Sequence, residues 1–457
     1  MKRIKKQTFF SVLIIIASFL IASCANPKPV THVNQESSEK ESVEEPITLT
    51  VWWWGEPEAP GTGKWLKDRA DEYTEENPNV VFELVEQNID TVVTAFKAAA
   101  AAKSGPDIAF LFSGGVYVME DVWEGNIVPI SDYATEEQMS TWIDTFSKTY
   151  DGKIWTMPFY MQSYLMMYNK DLFTKAGLDP ENPPSTMDEL LNACEILNRS
   201  GIAPMASGMR DLFQGGIYYS ELGVQSLPDA YSIQRATIGE ESFEDRQHAE
   251  WLEALDQMVK ASCFNEDVNS LDLYSGWEVF GRGEAAMLQA NDAFLPVAIE
   301  NLGEENVGLM RMPSYTESPV SESMCYFSQG LGITSWSPYK EVAADFLLTL
   351  HAKENVDEFY KITSIPFANT NFDTSLIKSE LQKEEFEWIS ERPQLCPEGL
   401  TAIQIWETGV MPASQAIFQQ SLSPAEAAQL IEDVARNWRE SNPPNFDNWI
   451  TWAKPGE

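Results

Sequence analysis

Apolar and polar residues alternate along Ile47-Thr-Leu-Thr-Val-Trp52, the pattern of a strand, and Trp53-Trp54-Gly55-Glu56-Pro57 breaks it into a loop. Trp65, Leu66, Ala70 and Tyr73 then recur at helical spacing. Asn77-Pro78-Asn79 is a turn, and Val80 to Val85 reads as a second strand. Val92 to Lys103 is alanine-rich and helical, stopped by Ser104-Gly105-Pro106, and Asp107 to Phe112 is a third, apolar strand. This succession predicts a parallel sheet with helices on its faces, an α/β fold. The alternation resumes with strands at Tyr164 to Asn169, Ala285 to Ala290 and Leu331 to Thr334. Helices are predicted from the capping-type start at Ser185-Thr-Met-Asp-Glu189, and at Ala249 to Ala261, Val342 to Ala352 and Pro424 to Trp438.

The N-terminal residues follow a different pattern. Lys2, Arg3, Lys5 and Lys6 precede an apolar run, Phe9 to Leu20, too short and wrongly flanked to span a membrane. Small residues then lead to a cysteine in Ile21-Ala22-Ser23-Cys24. This stretch resembles the bacterial lipobox. The resemblance implies a leader over residues 1–23, cleavage after Ser23 and diacylglyceryl attachment at Cys24, tethering the protein to the outer face of the cell membrane. The alternatives are an ordinary signal peptide with a chance cysteine and an uncleaved anchor. Residues 26–45 hold Pro, Asn, Gln, Ser and Glu with hardly any large apolar side chain, so 24–45 reads as lipid anchor and flexible tether.

The formal charge of −39 becomes about −43 once the leader's four cations are removed. So acidic a surface repels nucleic acid and favours a soluble monomer. Beyond Cys24 stand Cys194, Cys263, Cys325 and Cys396, at spacings that fit no metal knuckle. Three disulfide pairings are open if all four join; a domain of this size does not require them, and buried free thiols are the expectation.

A family pattern runs through the chain. Leu49-Thr-Val-Trp52, Glu76-Asn-Pro-Asn-Val80, Ser104-Gly-Pro-Asp-Ile108 and Trp123-Glu-Gly-Asn-Ile127-Val-Pro come first. Asp151-Gly-Lys-Ile154 with Met157-Pro-Phe159, Tyr168-Asn-Lys-Asp-Leu-Phe173 with Ala176-Gly-Leu178, and Pro183-Pro-Ser-Thr-Met-Asp-Glu-Leu190 follow. Phe280 with Gly283-Glu-Ala-Ala-Met287 and Glu341-Val-Ala-Ala-Asp-Phe-Leu347 extend it. No one motif is specific, but their order and spacing resemble the extracellular solute-binding proteins, family 1, of ABC importers, which include maltose- and oligosaccharide-binding proteins. The resemblance implies a two-lobed periplasmic-binding-protein-like fold (type II), with a solute held between lobes and passed to ABC permease subunits. Fitted here, one lobe takes residues 46–160 and 310–352, and the other 161–309 and 353–457. The hinge crossings fall at Met157 to Tyr164 and Val307 to Ser314, each with a proline.

Ligands of parallel-sheet lobes contact the loops beyond strand C-termini. That rule selects Trp53, Trp54 and Glu56 after the first strand, Ser113 and Gly114 after the third, and Tyr160, Gln162 and Tyr164 at the first crossing. It adds Asn291 and Asp292 after Ala285 to Ala290, and Ser328 and Gln329 before Leu331. Phe213 and Trp406 are weaker candidates, and Trp52 reads as core. Aromatic faces mixed with amides and hydroxyls suit a sugar, whose C–H faces stack while its hydroxyls hydrogen bond. Only Arg210, Arg282 and Arg311 sit near cleft segments, which disfavours an anionic ligand. Met161, Met166 and Met167 read as packing.

Three histidines, His32, His248 and His351, leave almost no material for a His-based triad or zinc site, and no phosphate-binding or dinucleotide fingerprint is present. No cofactor and no metal site are expected. Carboxylates are abundant, so a lipid-anchored glycoside hydrolase is the main rival reading and a surface glycan-binding adhesin the second.

Overall fold

Strand β1 (Ile47–Trp53) forms where the alternation predicts it, burying Leu49, Val51 and Trp53 on one face. It runs one residue further than expected, so Trp53 takes the inward position while Trp52, read as core, is only half-buried on the other face. Helix α1 (Thr62–Glu76) starts after Gly61, whose φ of 98° lies in the left-handed region that favours glycine. The computed structural model describes residues 46–454 except 89–90, 113–114, 146–147, 319, 322, 392–395 and 442. The leader, Cys24 and the tether lie outside the described residues.

The other strands of four or more residues are β2 (Val80–Glu86), β3 (Ile108–Leu111), β4 (Met157–Asn169), β5 (Ala203–Ala206), β6 (Ala285–Asn291), β7 (Val307–Met310) and β8 (Tyr326–Thr334). The helices that bear on the site are α2 (Val92–Ala102), α3 (Gly115–Trp123), α4 (Met187–Arg199), α5 (Phe213–Leu222), α6 (Arg246–Lys260) and α7 (Leu273–Gly281). They are followed by α8 (Lys340–Leu350), α9 (Lys353–Thr363), α10 (Glu380–Glu391), α11 (Met411–Phe418), α12 (Pro424–Glu440) and α13 (Phe446–Ala453). The strands join one mixed sheet in the order β2-β1-β3-β8-β4-β6-β5, with β7 beside β4. β1 is parallel to both β2 and β3, as the strand–helix alternation predicts. β8 and β4 are antiparallel to their neighbours and lie at the centre of the order.

β4 is the connecting element. All 13 of its residues are buried. Its first half pairs with β8 through Met157 to Ser163, and its second half with β6 and β7 through Tyr164 to Asn169. Phe159 and Tyr160 together stand opposite Gln329, a β-bulge between the Ser328–Met161 and Gly330–Pro158 pairs. There β4 also bonds the segment after α9, with Ala368 N–H donating to Phe159 at 2.7 Å and Met161 N–H to Pro366 at 2.9 Å.

One core gathers Leu49, Val51, Trp65, Phe346, Phe359 and Phe367. Trp65 meets Phe359 at a ring separation of 5.1 Å, and Arg69 on α1 bonds Glu358 and Asn355 at 2.7 Å. Residues of 353–377 thus pack with the first strands and helices. At the other end of the chain, Trp449 on α13 packs 5.1 Å from Trp123 on α3. A second core holds Met205, Trp251, Leu255 and Trp406, and a third Leu165, Leu288, Trp277 and Phe280.

The cysteines correct the expectation of free thiols. Cys194 on α4 is bonded to Cys263 just after α6, and Cys325 to Cys396, with Cα–Cα separations of 5.1 and 4.4 Å. Packing of α4 and α6 around β5 brings the first pair together, a proximity that separations of 69 and 71 residues along the chain do not reveal. Cross-links of this span restrict the unfolded chain most, by about 2–4 kcal/mol each. Replacing Cys194 and Cys263 together by serine is expected to lower urea stability by that amount; an unchanged midpoint would count against a structural bridge.

Candidate ligand-binding cleft

The centre of the sheet forms one boundary of a cavity of about 1110 Å³. The period of two puts Gln162 and Tyr164 of β4 and Phe327 and Gln329 of β8 on this face, with Asn291 at the end of β6. One wall carries Phe112, Lys97 of α2, and Glu120 with the nearby Glu124. The facing wall carries Asp211, Phe213 at the start of α5, Tyr274 and Trp277 of α7, and Trp406, Glu407 and Trp438. Aromatic rings therefore stand on both sides of a polar floor.

Amide hydrogen bonds orient the floor. Gln329 Nε2 donates to Gln162 Oε1 at 2.5 Å, and Asn291 Nδ2 donates to Glu58 Oε1 at 3.4 Å. Gln162 Nε2 and Asn291 Oδ1, on residues 1% and 3% exposed, have no protein partner, which leaves a buried donor and a buried acceptor unpaired at the floor. Trp277 is held by its indole N–H, which donates to Gln214 Oε1 at 2.8 Å, and its ring meets Tyr274 edge-on at 5.3 Å. Trp406 opens a π-helical turn, Trp406–Val410, a local widening that often marks functional sites. Its ring lies against α5 at Gly216, where a Cβ would come within 2.4 Å of Trp406 Cζ2. Glycine at that position is what lets the ring seat.

Burial raises several acids of the cleft: Glu120 is pushed up to about 7, and Asp211 and Glu407 also lie above the usual carboxylate range. Lys97 stands 3.9 Å from Glu120, and Arg210 is paired with Asp272.

Of the residues selected from sequence, Gln162, Tyr164, Phe213, Asn291, Gln329 and Trp406 come together in the cleft. Ser113 and Gly114 lie outside the described residues. Six others are placed elsewhere. Trp54 is 2% exposed and packs behind the lining residue Phe112 at 5.9 Å. Glu56 accepts from Gly61 and Gly63 N–H at 2.8 and 3.0 Å, capping α1. Tyr160 is fully buried, its hydroxyl donating to Glu58 at 3.4 Å. Asp292 turns away from the cavity. Ser328 is buried, with its carbonyl accepting from Lys148 at 2.9 Å, and Trp53 is core. Met161, Met166 and Met167 are buried. Arg282 pairs with Glu284 at 2.8 Å, and Arg311 lines a separate cavity. Sequence reasoning missed Glu58, Asp211, Phe112, Tyr274, Trp277, Phe327 and Glu407. The Asp-x-Phe spacing of Asp211 and Phe213 was the one available signal.

Asp292 meets Glu385 of α10 in a buried carboxyl pair behind β4. The two carboxyls hydrogen bond, Ser163 Oγ donates to Glu385 at 2.5 Å, and Ser163 N–H donates to Asp292 at 3.2 Å. Burial, then each other's charge, holds Asp292 well above the ordinary range, and burial raises Glu385.

A family model described as bacterial extracellular solute-binding protein matches residues 68–385. The sn-glycerol-3-phosphate-binding periplasmic protein UgpB of Escherichia coli O6:K15:H31 is 25% identical over 400 residues, covering 82% of this chain and 86% of that protein. A chitin oligosaccharide binding protein superposes with a TM-score of 0.78 at 21% identity, covering 86% of this chain and 99% of that one. The GacH receptor of Streptomyces glaucescens superposes at 0.68 and 17% identity, covering 87% and 99%. The architecture is thus the two-lobed, type II periplasmic binding fold.

Two outcomes follow from the geometry. Gly216→Ala displaces Trp406, and a fall in ligand affinity of about tenfold, roughly 1.4 kcal/mol, is expected by titration calorimetry; unchanged affinity would remove Trp406 from the site. The raised carboxyls keep their proton in the folded state when the unfolded chain has lost it, so folding stability declines as pH rises above about 4.5. Glu385→Gln should flatten that decline in urea titrations at several pH values; an identical pH slope in the variant would show that the pair does not titrate as described.

Proposed function

This chain belongs to the bacterial extracellular solute-binding proteins, and on that premise we propose that it captures an oligosaccharide in the cleft and hands it to the permease of an ABC importer. The observation that carries the reading is the pairing of aromatic rings on two walls with a floor of amides holding an unused donor and acceptor. Sugars need both, since their C–H faces stack and their hydroxyls donate and accept. The volume of about 1110 Å³ exceeds the roughly 300–1,000 Å³ of ordinary small-molecule sites, which supports more than one sugar ring. The superposing structures support the same reading, one being a chitin oligosaccharide binding protein and the other a receptor determined in complex with acarbose.

The mechanism is capture followed by closure. β4 and the segment after β7 serve as the hinge, and ligand touching both walls stabilises the closed form by its differential affinity. We assign residues of 353–377 to the first lobe, because they share the core of Trp65. Cys24 carries the lipid, residues 26–45 are the leash, and the acidic protein works as a monomer at the outer face of the membrane.

Screening a sugar panel by thermal shift tests the reading directly, since binding raises stability by mass action. An oligosaccharide is expected to raise the melting temperature, change tryptophan fluorescence and compact the protein in solution scattering, with no product formed. Trp406→Ala should weaken that ligand about tenfold or more. Failure of every sugar, or binding only to long polymer, would sink the oligosaccharide reading. Cys24→Ala should release the protein from membranes; retention would refute the anchor.

A further inference from the structure

The proposal concerns the charge of the cargo and rests on the carbohydrate reading above. Six carboxyl groups line the cleft, those of Glu58, Glu120, Glu124, Asp211, Asp272 and Glu407, against the two cations Lys97 and Arg210. Both cations are engaged, Lys97 beside Glu120 at 3.9 Å and Arg210 with Asp272. The start of α7, which opens on the cleft, would ordinarily attract an anion. Its amides are already taken: Leu273 N–H donates to Asp211 at 3.1 Å and Ser275 N–H to Asp272 at 2.9 Å. A phosphate entering here meets carboxylates at the place where other sites offer free N–H groups.

A second, independent feature lies at the same corner. Asn291 is 3% exposed, and its Nδ2 donates to Glu58 at 3.4 Å. That bond fixes the amide so that Oδ1, which has no partner, remains as an acceptor. Tyr274 lies within the field of both Glu58 and Asp211, and its ring meets Trp277 at 5.3 Å. The corner therefore combines two carboxylates, an unused carbonyl oxygen and two aromatic rings. An ammonium group brings three N–H donors, no acceptor and a charge that aromatic faces attract. We propose that Glu58, Asp211 and Asn291, with Tyr274 and Trp277, form a subsite for a protonated amine, so that the cargo is an amino sugar oligomer rather than a neutral or phosphorylated one.

The experiment uses the full mature chain and calorimetric titration at pH 6.5. Probes are glucosamine, galactosamine and mannosamine as mono- to tetrasaccharides, each beside its N-acetylated and its unsubstituted neutral counterpart, with sn-glycerol 3-phosphate and glucose 6-phosphate as anions. At least one free amine is expected to bind tenfold or more tighter than both its neutral counterparts. The advantage should shrink several-fold between low salt and 0.5 M salt, as screening requires. Asp211→Asn, which keeps an acceptor for Leu273, should reduce that advantage to threefold or less, read as the ratio of amine to neutral-sugar affinity within the same variant. Should that variant fold poorly, Asn291→Asp, which adds a carboxylate to the corner, should widen the advantage instead. A neutral sugar binding as tightly as any amine, or a phosphate ester competing, overturns the amine subsite and leaves the carbohydrate reading standing. Binding by no sugar of any charge overturns both.

Discussion

A single buried strand sets the geometry on which the rest depends. β4 is 13 residues long and buried throughout, and its two halves pair with different partners. A strand that spans both halves must satisfy its backbone groups on either side along its whole length, because no water reaches them. It does so with β8 and the segment after α9 at one end and with β6 and β7 at the other. The floor of the cleft is the stretch where the exchange happens, so Gln162 and Tyr164 are positioned by backbone pairing and not by loop conformation.

Burying two carboxyl groups beside that stretch is costly unless they share a proton or find donors. Asp292 and Glu385 do both, through each other and through Ser163. The pair links the end of β6, the middle of β4 and helix α10, three elements distant in sequence. Its retention at the crossing ties the C-terminal part of the chain to the strand that joins the two halves. In the cleft itself the acids have a different setting, facing the cavity among aromatic rings. That contrasts with what the name of the UgpB relative states for its ligand, a phosphate ester.

Local pattern made the elements of the first hundred residues readable, because alternation and helical spacing report burial one residue at a time. The rule that ligands meet strand ends found Gln162, Tyr164, Asn291 and Gln329, all of which sit on or beside central strands. It misdirected Glu56, since an acid a few residues before a helix serves equally as a cap, and Trp54, since the loop folds it inward behind Phe112. Asp211, Tyr274 and Trp277 were invisible because the cleft reaches them from helix starts 47 to 113 residues along the chain from Tyr164, the nearest β4 floor residue. The disulfides were unreadable for the same reason: pairing is a property of packed helices and not of spacing.

The bulge at Phe159 and Tyr160 acts as a parity switch for the floor. Beyond it, even-numbered residues of β4 face the cavity and odd-numbered ones, Ser163 among them, face the buried acids. The bulge absorbs one extra residue of β4 while Met161 stays opposite Ser328 and Pro158 opposite Gly330, whereas a one-residue slip of β4 against β8 beyond it would exchange those two faces. Ser163 and Leu165 would then point at the cargo, and Gln162 at Glu385. The register of this strand is therefore constrained by the chemistry on its two sides, so that homologous strands should vary in residue type more readily than in register.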